Sequence, residues 1–101
     1  MTSEAIEQIW QARERLETEH KDALKKLPAG GLADMGLCRM LNLEQVGPEL
    51  VKFLIKSQGR KVPKDLWTRP AKATIKDEIA TAAAFLVAEL ERILEEEGGA
   101  Q

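Results

Sequence analysis

Tyrosine is absent from this chain, phenylalanine and tryptophan supply two residues each, and aromatics make up 4% of the whole. The apolar residues are instead mainly Leu, Ala, Ile and Val, which suit packed helices better than a sheet. The expected fold class is all-α, a bundle of four or five helices. Cysteine is almost missing too. Cys38 stands alone, so no internal disulfide can form and a Cys-based zinc site has too few ligands. It lies in "GLCRML" among apolar neighbours and reads as a buried, inert thiol. His20 is the only histidine. With no second histidine or thiol near it in sequence, it reads as a boundary residue on a half-buried seam rather than a ligand or general base. No apolar run approaches the ~18 residues of a membrane span. The opening "MTSEAIEQ" is acidic where a signal peptide starts basic, so a soluble, cytoplasmic protein is expected.

What is present is one domain's worth of chain. At 101 residues a fold buries roughly 65% of the surface that its unfolded chain exposes, enough for one core. The net charge of −2 hides an uneven distribution. Residues 1–50 hold nine acidic and six basic side chains, residues 51–76 hold eight Lys or Arg against Asp65 alone, and residues 77–101 hold seven acids and Arg92. A basic middle of this kind could hold phosphates. It could equally lie against the acidic helix of its own chain or of a second copy.

Apolar spacing of three and four predicts a first helix over residues 3–27, with Ser3 as cap and Ile6, Ile9, Trp10, Leu16, Ala23, Leu24 and Leu27 on its stripe. Arg13 and His20 interrupt that stripe, and Pro28 with Gly30 and Gly31 ends the helix. A second helix begins near Leu32 and carries Met35, Leu37, Met40, Leu41 and Leu43. Pro48 cannot donate to the carbonyl of Glu44, so the chain is expected to break or kink at Gly47 and Pro48 and to restart with Pro48 in a first turn. The run "PELVKFLIKSQ" is apolar around most of its circumference, which predicts a central helix ending at Gly59. Residues 59–72 contain Pro63 and Pro70 and no sustained period, a long connection pinned by Val62, Leu66 and Trp67. Thr74 and Asp77 then form a capping-box pattern, introducing a helix that reaches about Glu97 and spans about 36 Å. Its stripe of Ile75, Ile79, Leu86, Leu90 and Ile93, broadened by Ala82, Ala83, Val87 and Leu94, is wider than one neighbour covers. A homodimer is therefore expected. The acidic tail 95–101 is expected to fray, since "EEE" opposes the helix dipole.

The order of helix, Gly-rich turn, helix carrying "VGPELVKFL", basic connection and "KDEIATAAAFLVAEL" resembles the all-α nucleotide pyrophosphohydrolase superfamily of MazG-like and phosphoribosyl-ATP pyrophosphohydrolase-like proteins. The resemblance covers roughly residues 32–94 and consists mostly of hydrophobic spacing. In that superfamily one helix carries E-E-x-x-E and a second carries E-x-x-D, carboxylates that hold Mg²⁺ while a nucleoside triphosphate is hydrolysed between its α and β phosphates. Glu49 and Glu78 match one glutamate in each helix, whereas Lys52 and Thr81 stand where the pattern has further acids. The resemblance implies Mg²⁺ contact at Glu49 and Glu78, and phosphate contact at Lys56, Arg60, Lys61 and Lys64. Trp67 could stack on the base, or anchor its own loop. No residue is identified as catalytic.

Two readings from other classes compete. "LCRMLNLEQVGPELVKFLIK" also fits a helix-turn-helix, with Lys52, Lys56, Arg60 and Lys61 on DNA phosphates, although Pro48 falls where the recognition helix wants an apolar residue. A non-catalytic helical interaction protein fits the composition as well.

Overall fold

In the computed structural model the described residues are 3–27, 30–43, 47–57 and 64–99. They form five helices: α1 (Ser3–Lys25), α2 (Gly31–Leu41), α3 (Gly47–Ser57), the single turn α4 (Lys64–Trp67) and α5 (Ile75–Gly99). There is no strand among them. The fold is all-α, as the shortage of aromatics implied. No helix among the described residues is long and apolar enough to cross a membrane.

Local chemistry sets the boundaries. Gly30 precedes α2 with φ of 83°, a left-handed conformation that L side chains rarely adopt, and its carbonyl accepts from Asp34 N–H at 3.0 Å. Gly47 and Pro48 open α3, where the missing N–H of proline costs nothing because a first-turn donor has no helical partner. Thr74 and Asp77 close the expected box. Asp77 N–H donates to Thr74 Oγ1 at 3.1 Å while Thr74 N–H donates to Asp77 Oδ2 at 3.0 Å. The acidic end of α5 is helical through Gly99, with Arg92 Nη1 donating to Glu96 one turn on. Val62 and the glutamate Glu44 lie outside the described residues.

The core is built where α5 meets α1 and α2. Its members are Ala12 and Leu16 of α1, Leu32 and Met35 of α2, Leu66 of α4, and Ala80, Ala84, Phe85 and Ala88 of α5. Small residues on α5 let its neighbours come close. Gly36 matters for the same reason: a Cβ there would sit 3.1 Å from the Ala82 carbonyl oxygen and 3.4 Å from Phe85 Cβ.

Three expectations about faces are corrected. On α1 the fully buried positions are Ala12 and Leu16, while Ile6 and Trp10 turn outward. Arg13 interrupts the stripe because its Nε donates to Glu91 Oε1 of α5 at 2.8 Å, and at His20 the helix kinks to φ −130°, ψ 20°. The helix α3 is peripheral rather than central. It packs mainly on α2, burying Val51 while Phe53 is 70% exposed. Its nearly all-round apolar pattern is not matched by neighbours on every side. On α5, finally, the long aliphatic stripe lies outside the core cluster and is half exposed along its length, with Leu86 edging onto Gly36 of α2 and Ile79 onto α1.

Candidate functional site

Two features of the surface and near-surface have functional character, and both are set by α5. The first is a polar cleft of about 280 Å³ at its N-terminal end, lined by Arg15, Glu19 and His20 of α1, Arg39 of α2, Pro70 and Ala73, and Asp77, Glu78 and Thr81. At its floor the Glu78 carboxylate is 1% exposed and the Arg39 guanidinium 5% exposed. Arg39 Nη1 donates to Glu78 Oε1 at 3.0 Å and to Oε2 at 3.2 Å, and its Nε donates to the Leu66 carbonyl at 3.0 Å. Burying two ions is costly, and the cost is met only when geometry is good and the remaining donors find acceptors. Both conditions hold here: no buried side-chain nitrogen or oxygen among the described residues is left without a partner. The carboxylate of Asp77, at the cleft edge, is held below its usual range by hydrogen bonding with Thr74, from the backbone N–H first and the side chain second.

The sequence-predicted residues are distributed as follows. Glu78 lies in the cleft. Glu49 is on α3, 81% exposed, with Lys52 Nζ at 3.7 Å, and it is not among the cleft's lining. Lys56 and Lys64 are exposed, near the end of α3 and at the start of α4. Arg60 and Lys61 lie outside the described residues. Trp67 is half-buried against the core, and its carbonyl accepts from Asn42 Nδ2 at 2.6 Å, so it anchors the connection. The described residues contain no group of three or more His, Cys, Asp or Glu placed to hold a metal ion. As arranged, Glu78 already faces a cation of its own chain. A Mg²⁺ ion at this carboxylate would have to displace Arg39, and Glu49 supplies no second ligand in the cleft, so the donor set does not fit a hydrated Mg²⁺.

Arg39 is the residue that sequence reading overlooked. Its signal was a lone charge in the apolar run "GLCRML", where a cation at a buried position demands an acid from elsewhere. The partner lies 39 residues away, on another helix.

The second feature is apolar. Ile75, Ile79, Leu86, Leu90, Ile93 and Leu94 line the outward side of α5 and are each 39–59% exposed. Beside their N-terminal half, a groove of about 300 Å³ runs between α1 and α5, bordered by Ala5, Gln8, Ile9, Ile79, Ala80 and Ala83, with Glu4 and Lys76 at its rim. Cys38, by contrast, is buried, and its thiol is pushed up by burial first and by Asp34 second. That leaves it the inert group expected. The outward face of α3 carries Leu50 and Phe53 together with Lys52 and Lys56.

No family model, no curated protein and no solved structure matches the chain.

Proposed function

We propose that this protein acts as a helical interaction module, working through the apolar face of α5 rather than through chemistry of its own. The observation that supports this reading is the stripe itself. Six large aliphatic side chains, each roughly half exposed, put on the order of 500 Å² of contiguous apolar surface in water, at the upper end of what a typical monomer carries. Such a face is the largest unmet hydrophobic free energy on the described surface. The carboxylates that the resemblance implied for Mg²⁺ are otherwise engaged, Glu78 with Arg39 and Glu49 with solvent and Lys52. The DNA reading would present Phe53 and Leu50, beside Lys52 and Lys56, to a phosphate-lined groove, where the two lysines have anionic partners and the two large apolar side chains have none.

The test joins two measurements. Leu86→Glu/Leu90→Glu is expected to keep the parent's helical circular dichroism while abolishing intermolecular association, because neither side chain belongs to the protomer's core. The parent is expected to release no pyrophosphate from a panel of nucleoside triphosphates with Mg²⁺. Turnover that disappears in Glu78→Gln would overturn the reading in favour of a pyrophosphohydrolase, and unfolding of the double Glu variant would show the stripe to be part of the protomer's own interior.

A further inference from the structure

The stripe has a symmetry that identifies its occupant. Leu86 lies midway along it: Ile79 and Ile93 are seven residues to either side, and Ile75 and Glu97 eleven to either side. Two such helices laid antiparallel with their Leu86 residues together would set Ile79 against Ile93 twice over. The charges follow the same rule. The exposed Lys72 and Lys76 stand at the start of the stripe and the exposed Glu96 and Glu97 at its end. Parallel pairing would bring lysine to lysine and glutamate to glutamate, whereas antiparallel pairing brings each lysine cluster to the partner's glutamates.

We infer that the occupant of this face is a second copy of the chain, its α5 antiparallel to the first about a two-fold axis near Leu86. The inference rests on the interaction reading above and names the partner. Contact from Ile75 to Ile93 would extend about 27 Å along each helix. The partner's Leu90 would enter the groove between α1 and α5, which is floored by small Ala80 and Ala83. The stripe's roughly 500 Å² per protomer matches the least that a specific interface needs on each side, and Ile6 and Trp10, exposed on the neighbouring α1, are available to enlarge it.

Sedimentation equilibrium of the full chain is expected to give twice the protomer mass of 11.2 kDa. Leu86→Glu/Leu90→Glu is expected to weaken dimerisation on the order of a hundredfold or more, with its helical signal confirming that it remains folded. Orientation is read by cysteine pairing under mild oxidation, the native Cys38 being buried. Leu86→Cys should cross-link to itself, Ile75→Cys should not, and Ile79→Cys should cross-link to Ile93→Cys in a mixture. Glu97→Lys should weaken the dimer up to about fivefold for each pair broken, and Lys76→Glu added to it should restore the affinity. A parent that stays at protomer mass at every concentration, a dimer indifferent to the double Glu substitution, or self-cross-linking at position 75 would each overturn the antiparallel dimer. A monomeric parent whose α5 face binds a different protein, competed away by Leu86→Glu/Leu90→Glu, would overturn the second-copy assignment while leaving the interaction reading intact. Triphosphate hydrolysis would remove that reading instead.

Discussion

Replacing Glu78 by glutamine keeps the shape of the side chain and removes its charge, taking from the Arg39 guanidinium, at 5% exposure, the carboxylate that it is paired with at 3.0 Å. Breaking a buried pair from one side costs about 3–5 kcal/mol, because the surviving ion can neither return to water nor be neutralised. Glutamine retains one carbonyl acceptor within reach of Nη1, so the lower end is expected, about 3 kcal/mol. For a domain of this size that corresponds to a fall in melting temperature of at least about 12 °C. Arg39→Met/Glu78→Leu removes both ions, and most of the loss should be recovered. A remainder of about 1 kcal/mol reflects the Leu66 carbonyl, which loses its donor. The assay is urea unfolding followed by the helical signal at one fixed protein concentration, since self-association would otherwise shift the midpoint. Arg39→Met, Glu78→Leu and the double together form a cycle whose coupling reports the pair directly. A loss below about 1 kcal/mol for Glu78→Gln, or additive behaviour of the two substitutions, would refute the structural role. So would a midpoint of the parent that rises with Mg²⁺ and falls with a chelator.

Two further outcomes follow from local geometry. Gly36→Ala should destabilise by about 1 kcal/mol, since about 1–3 kcal/mol of crowding against the Ala82 backbone outweighs the roughly 1 kcal/mol gained in helix propensity; Gly98→Ala, whose Cβ would meet nothing within 4 Å, serves as the control and should not destabilise. Thermal melts that rank Gly36→Ala above the parent would show the close approach to be slack. Thr74→Ala should cost about 1 kcal/mol through the lost cap. Asp77, whose folded pKa is depressed, contributes stability that is fully present above its unfolded value of about 4 and is lost as pH falls through the lower folded value. The stability gap between the parent and Asp77→Asn should accordingly narrow below about pH 4, and a gap that widens with acid would contradict the box.

Much of the fold was legible because its boundaries are local. Thr74 and Asp77 sit three residues apart and cap each other, Pro48 can open a helix but not continue one, and Gly30 takes the conformation that others avoid. Faces were harder to read. The aliphatic stripe of α5 resembles a core stripe, yet the protomer is packed through the alanines and Phe85 on the other side of that helix, a choice that depends on how closely α1 and α2 can approach. On α1 the same ambiguity made Ile6 and Trp10 look like core and hid Ala12. The polar cleft was half visible: Glu78 was singled out, but for a metal rather than for Arg39, because no local spacing relates residues on two helices joined only by the fold. Glu49 looked equivalent to it in sequence, since both begin a helical apolar run, and only the peripheral position of α3 separates them.

The depth of the Arg39–Glu78 pair also determines how the protein should respond to ionic strength. Mobile ions weaken attraction between groups that water can reach and hardly touch charges sealed behind side chains. Added salt would thus loosen the lysine and glutamate contacts proposed between subunits while the pair at the floor of the cleft held the protomer together. Assembly could then be adjusted without loosening the molecule that assembles.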